Sequence, residues 1–288
     1  MSRVFAENGS AVAFTGRSDA FYWRFVGTAI SFAAFGLGAL LLSLTVLPAL
    51  RLLPAQRCQR ASRSVLQRAM RTFLGVMRGL GVLTCEFRDT ERLGQPGQLV
   101  IANHPTLIDA VFLIACTPQA VCVAKHAMFR SWLTRSVVAA AGYISNELTA
   151  DMIEGAAAAL SAGQCLIMFP EATRTRVGEP LVFQRGAANV GIRSATRVTP
   201  VYIRCDPITL TKGEPWYRIP LRRPHFSLSV GDDYALAEYR AMQSIPLGSR
   251  AFNAHIQANF EGELQRTGGY TGGRADDGSA GNGSALAG

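Results

Sequence analysis

Two stretches of this sequence carry side chains whose types and spacing could do chemistry. The first reads Asn103-His104-Pro105-Thr106-Leu107-Ile108-Asp109. A carboxylate beside an imidazole keeps one ring nitrogen protonated and leaves the other to take a proton from a hydroxyl. On a continuous helix, residues five apart point about 140° away from each other, so the two would not meet. Proline favours the first helical position, which places His104 just ahead of a helix running from Pro105. Helical side chains lean toward the N-terminus, so Asp109 can reach back to the ring. N–H groups at the start of that helix are candidate donors to an oxyanion. A histidine that merely caps a helix is the competing reading, and the position straight after an apolar strand favours chemistry.

The second stretch is Phe169-Pro170-Glu171-Ala172-Thr173-Arg174-Thr175-Arg176. Pro170 stops a strand, and charges follow where open α/β sheets bind ligands. Arg174 can grip a phosphate with two parallel hydrogen bonds, and Arg176 offers a second cation. Glu171 is a poor phosphate ligand; it holds an acceptor hydroxyl or orients Arg174. A solvated polar turn is the alternative. His126, His225 and His255 read as structural. The sequence has no G-x-S-x-G elbow, no H-E-x-x-H and no C-x-x-C, so neither a serine or cysteine nucleophile nor a metal is expected. The 6 cysteines are expected to be reduced and buried.

These groups have to be carried by elements, and the chain after residue 85 alternates short apolar runs with helical stretches. Strands are expected at Gln98–Ala102, Ala120–Ala124, Tyr143–Ser145, Cys165–Phe169, Val198–Ile203 and Phe226–Val230. Helices are expected at Pro105–Cys116, Ala127–Ala141, Met152–Ala162 (with Asp151 as its cap) and Ala187–Thr196. That alternation predicts an α/β domain, a mixed and largely parallel sheet flanked by helices.

Ahead of it, Phe25 to Leu50 contains no charged residue. As a helix it would extend about 39 Å, enough to cross a hydrocarbon core of about 30 Å; Pro48 and three glycines leave room for a bent, one-leaflet insertion. No acidic residue occurs between Asp19 and Glu86, while Arg51, Arg57, Arg60, Arg63, Arg68, Arg71 and Arg78 follow the apolar run. The positive-inside rule puts the residues after 50 on the cytoplasmic side. Within 56–80 apolar residues recur at helical spacing opposite the arginines. This predicts a helix lying on an anionic membrane surface, or else one packed on the catalytic domain. The net charge of +9 lies beside apolar sequence rather than among stacking aromatics, so lipid is expected as partner and nucleic acid is not. Expected divisions are an N-terminal segment (1–24), a membrane helix plus basic amphipathic helix (25–85), a catalytic domain (86–266) and a disordered tail (267–288).

With both blocks in place, the chain resembles the glycerolipid acyltransferases that include 1-acylglycerol-3-phosphate acyltransferase. The resemblance rests on the N-H-x-x-x-x-D block at 103–109, the F-P-E-x-T-R block at 169–174, and Val198-Thr199-Pro200-Val201-Tyr202-Ile203, in that order over roughly residues 80–235. It implies His104 and Asp109 as the catalytic pair and Glu171, Thr173, Arg174 and Arg176 at the acceptor, with Lys125 a further phosphate contact. It also implies acyl-CoA or acyl carrier protein as donor co-substrate, a lysophospholipid as acceptor, no cofactor, and a place at the cytoplasmic (inner) membrane of a bacterium. Ala172 stands where the family has glycine, and alanine resists the positive φ that glycine permits. Thr175 stands for serine. The block in which the family has a glycine and isoleucine followed by an arginine, used at the acceptor phosphate, reads Gly142-Tyr143-Ile144-Ser145-Asn146-Glu147 here, without the arginine. That departure points to other acceptors, such as lyso-ornithine lipid or aryl-polyene-type molecules. A lipid hydrolase and a non-catalytic binder of anionic membranes are the rival readings.

Overall fold

The computed structural model describes residues 20–132, 134–147, 149–176 and 178–268. Most of the expected N-terminal segment and tail lie outside these residues. Seven strands form one sheet: β1 (Thr84–Arg88), β2 (Gln98–Ala102), β3 (Val121–Ala124), β4 (Ile144–Ser145), β5 (Leu166–Met168), β6 (Arg197–Asp206) and β7 (His225–Val230). Their order is β1-β7-β6-β2-β5-β3-β4. Every pairing is parallel except β6 with β7, so the expected mixed, largely parallel sheet flanked by helices is what forms. The strands also come close to the expected ranges, except that β1 was not foreseen.

β2 shows why the sheet is central. All five of its residues are buried, and successive side chains leave on opposite faces. Val100 and Ala102 join one core with Phe112, Ile167 and Phe226. Leu99 and Ile101 join the other with Leu166, Phe252 and Phe260. The first core is covered by α2 (Ala55–Gly79) and α3 (Asp109–Cys116), the second by α6 (Thr149–Ser161), α7 (Gly186–Ser194) and α9 (Ile245–Arg266). α9 was not foreseen, although Phe252, Ile256, Phe260 and Leu264 make a buried stripe along it. The helix expected over 127–141 is two, α4 (His126–Arg130) and α5 (Arg135–Ala141), separated by the extended Ser131. α6 begins ahead of Asp151, which lies in its first turn and not at its cap. A short α8 (Ala237–Arg240) completes the set.

At the N-terminus, Phe21–Leu50 is one continuous helix, α1, with a π-helical stretch at Leu42–Val46. It is long and apolar enough to cross a membrane by length and composition. Its pattern is inside out: Arg24, Gly27, Thr28 and Ser31 are buried, whereas Val26, Ile30, Leu37, Leu41 and Leu44 are exposed. Arg24 is 3% exposed. Its guanidinium donates to the carbonyls of Pro220 (2.9 Å), Leu221 and Arg222 (3.3 Å), fastening α1 to the β6–β7 connection. Phe32 and Phe35 of α1 pack on Phe73 of α2. The apolar side of α2 (Leu66, Phe73, Leu74, Met77) is itself buried, against α3 and the sheet. The reading of α2 as a helix whose apolar face rests on lipid is therefore corrected: the domain already occupies that face, leaving Arg57, Arg60, Arg68, Arg71 and Arg78 outside, while Arg63 is buried and donates to the Ala141 carbonyl (2.7 Å).

Asn103 closes the end of β2. Fully buried, it donates from Nδ2 to the Ile203 carbonyl (2.8 Å) and accepts the Ile203 N–H (2.8 Å). Asn103→Ala leaves a buried donor and a buried acceptor without partners, each costing about 1–3 kcal/mol. We expect a loss of about 2–4 kcal/mol, read as a lower Tm in detergent; an unchanged Tm would show that water replaces the amide.

Candidate active site

The carboxyl ends of the four strands β2, β5, β3 and β4 bring both stretches to one edge of the sheet, the edge where open α/β sheets hold ligands. His104 leaves the end of β2 and its Nδ1 lies 2.8 Å from Asp109 Oδ2. The helix does not start at Pro105 as expected; α3 begins at Asp109. The reason is the Asp109 carboxylate. It accepts the Thr106 N–H (2.6 Å) and the Thr106 hydroxyl (2.5 Å), holding 105–108 as a turn ahead of the helix. Asp109 has no exposed surface, and three donors plus the helix N-terminus compensate for removing its charge from water. With Nδ1–H given to Asp109, Nε2 is the nitrogen left to accept a proton. The ring lies on Phe169, centroids 4.2 Å apart and planes 25° from parallel, and keeps 19% of its side chain exposed.

Two of the N–H groups expected to serve an oxyanion are engaged elsewhere. Thr106 N–H goes to Asp109, and Leu107 N–H goes to the Leu210 carbonyl (3.0 Å).

Glu171 is buried and serves His104, not Arg174. Its Oε1 accepts the His104 N–H (2.7 Å), and its Oε2 accepts the N–H (3.0 Å) and the hydroxyl of Thr175. Arg174 donates instead to the carbonyls of Leu210 (3.1 Å) and Thr211 (3.0 Å). Leu210 thus receives both site turns on one oxygen, and it does so with φ at +56°. Sequence reading missed it; its only signal was the position of the atypical loop that follows, Lys212–Tyr217. Thr173 and Arg176 are exposed, Arg176 lying 3.7 Å from Glu179. Lys125 is exposed at the end of β3, two strand spacings (roughly 10 Å) from β2. Next to it, His126 Nδ1 pairs with Glu147 Oε2 at 2.9 Å, and the His126 N–H donates to Asn146 Oδ1 (2.9 Å).

Burial pushes the thiols of Cys116, Cys122 and Cys165 up to about 12, and those of Cys85 and Cys205 upward as well. These cysteines are therefore poor nucleophiles. Among the described residues no three His, Cys, Asp or Glu side chains gather as a metal-binding set. A narrow, mostly apolar crevice between α1 and the β6–β7 connection is lined by Met77, Ile108, Leu210, Trp216 and Phe226, with Thr28 of α1; neither His104 nor Asp109 lines it.

Residues 84–204, from the start of β1 into β6, match the family model described as Acyltransferase. Over these residues, less than half of its length, the chain is similar to that family. The chain is also similar to the 1-acyl-sn-glycerol-3-phosphate acyltransferase of Borreliella burgdorferi, 28% identical over 111 residues, which cover 36% of this chain and 44% of that protein. The chain thus spans less than half the length of this curated relative. Its fold is that of a solved structure, the 1-acyl-sn-glycerophosphate (LPA) acyltransferase PlsC from Thermotoga maritima. The TM-score is 0.60 at 16% identity, covering 84% of this chain and 96% of that one.

The second block, Phe169–Arg176, allows two predictions. Ala172 adopts the left-handed conformation that alanine was expected to resist, with φ at +57°. Holding it there costs about 1–2 kcal/mol, and glycine returns part of that as unfolded-state entropy, about 0.4–1 kcal/mol. Ala172→Gly should stabilise the domain by about 0.5–1 kcal/mol in thermal unfolding; a loss of stability contradicts this. Burial holds the Glu171 carboxyl above its ordinary value, outweighing the bonds from Thr175 and His104 that pull it down. Between those two values the folded chain keeps a proton that the unfolded chain has released, so stability falls as pH rises. The Tm of the wild type should therefore drop relative to Glu171→Gln as pH rises from about 4.5, then run parallel above the raised value. A gap that is flat or widens in favour of the wild type rejects the argument.

Proposed function

We propose that this chain is a membrane-associated O-acyltransferase that moves a fatty acyl group from an acyl thioester, acyl-CoA or acyl carrier protein, to the hydroxyl of a lysophospholipid such as 1-acylglycerol-3-phosphate. The observation that carries this reading is the 2.8 Å His104–Asp109 contact at the ligand-binding edge of a domain similar to the acyltransferase family. The acceptor oxygen attacks the thioester carbonyl while His104 Nε2 takes its proton. Collapse of the tetrahedral intermediate breaks the C–S bond, and the imidazolium returns the proton to the leaving sulfur. Asp109 holds the ring and its tautomer; Glu171 positions the His104 backbone. No covalent intermediate or cofactor is needed, the thioester being a co-substrate.

Membrane association is read from α1. Five exposed aliphatic side chains, each worth about 1.5–3 kcal/mol if covered, call for an apolar neighbour. With the polar side of the helix on the domain, that neighbour is lipid of the cytoplasmic (inner) membrane, the domain lying on its cytoplasmic side. Anionic lipid, and not nucleic acid, suits the exposed arginines of α2.

One observation favours a different acceptor. The block 142–147 lacks the arginine that the resemblance expects for phosphate, and Glu147 at its end pairs with His126, a pair suited to an amine or hydroxyl headgroup. Lyso-ornithine-lipid or aryl-polyene-type acceptors fit such a pair better than lysophosphatidic acid does.

The test is an assay of acyl thioester consumption with lysophosphatidic acid, a lyso-ornithine lipid and no acceptor. Transfer should require an acceptor, and His104→Ala or Asp109→Asn should lower it by about 10²–10⁴-fold with the fold kept. Thioester hydrolysis without acceptor would favour a hydrolase, and unchanged His104→Ala activity would leave only a membrane binder.

A further inference from the structure

We infer that the corner between α4 and α5 is a second contact with an anionic bilayer, separate from α1. Trp132, at this corner, is 69% exposed and Met128 is 37% exposed. The corner is a held feature: Thr134 Oγ1 donates to the Met128 carbonyl (2.7 Å) and the Arg135 N–H to the Ser131 carbonyl (2.9 Å). A large apolar indole fixed in water is costly, and tryptophan favours the headgroup level of a membrane, where its body is apolar and its N–H is wet.

Position and charge select the occupant. The last turn of α1 rests on α5. The corner therefore continues the outer face of α1, whose end exposes Leu44 and leads into Leu52 (89% exposed) and Leu53. Exposed Arg51 and Arg57 follow the end of α1, and exposed Arg130 and Arg135 flank the corner in sequence. From Ala110 to Asn146 the sequence has no acidic residue. An apolar tip flanked in sequence by arginines, on a segment without acidic residues, matches anionic lipid, to which each surface cation adds about 1 kcal/mol. α4 directly follows Lys125 and His126 at the ligand-binding edge. Seating the corner in the headgroups brings that edge to the bilayer surface, so a lipid acceptor can reach it without leaving the membrane.

This inference rests on the membrane reading of α1, and the experiment separates the two. Two full-length proteins are made, one retaining only Trp132 (Trp23→Phe, Trp216→Phe) and one only Trp23 of α1 (Trp132→Phe, Trp216→Phe). Each is reconstituted into vesicles of phosphatidylcholine with phosphatidylglycerol, with and without brominated acyl chains. Trp132 should be quenched by bromine to an extent comparable with Trp23, with a blue-shifted emission that weakens when phosphatidylglycerol is omitted. Quenching of Trp23 alone overturns this second contact and leaves α1 in the membrane. Quenching of neither overturns both.

Discussion

A carboxylate shut away from water must be answered by donors, and the answer given to Asp109 shapes the site. Thr106 supplies two of them and His104 the third. Because the turn has to fold back to deliver the Thr106 N–H and hydroxyl, the chain cannot enter α3 until Asp109 itself. The same contacts that make the buried charge tolerable thus set the imidazole at the strand end, with Nε2 directed away from the carboxylate. Phe169 behind the ring removes its remaining freedom to tilt.

The second block is joined to the first through backbone atoms. Glu171 reaches from the end of β5 to the His104 N–H on the neighbouring strand. Arg174 and Leu107, from different turns, converge on the Leu210 carbonyl. The connection between β6 and β7 therefore works as a strut under both turns, and Arg24 ties that strut to α1. Helix, strut and site form one mechanical series, each link made by hydrogen bonds to main-chain carbonyls.

Much of this was legible in the sequence, and what was not has physical reasons. The apolar run at 98–102 and the spacing of His104 and Asp109 sufficed to place the pair, because strand ends and helix starts are local. The start of α3 was misplaced because the Asp109 carboxylate draws back the Thr106 N–H and hydroxyl, fixing 105–108 as a turn, and spacing alone does not show this. The partners of Arg174 and Glu171 were misjudged because they lie far along the chain, and charge type alone suggested a phosphate. β1 went unseen since Thr84–Arg88 is a short edge strand with two of its five residues exposed and none fully buried. For α9 the four-residue stripe from Phe252 to Leu264 was readable, though interspersed Gly, Asn and Ala weaken it. Periodicity gave the apolar face of α2 correctly but could not say whether lipid or protein covers it; Phe73 and Met77 in the core decide for protein.

The inside-out pattern of α1 has a thermodynamic corollary. This helix completes the core on one side while its other side requires an apolar solvent, so the folded form binds amphiphile that the unfolded chain would bind differently. By mass action, the measured melting point then depends on how much lipid or detergent is present and of what kind. Stability for this protein is a property of chain and surfactant together, and two preparations of identical sequence in different micelles need not melt at the same temperature.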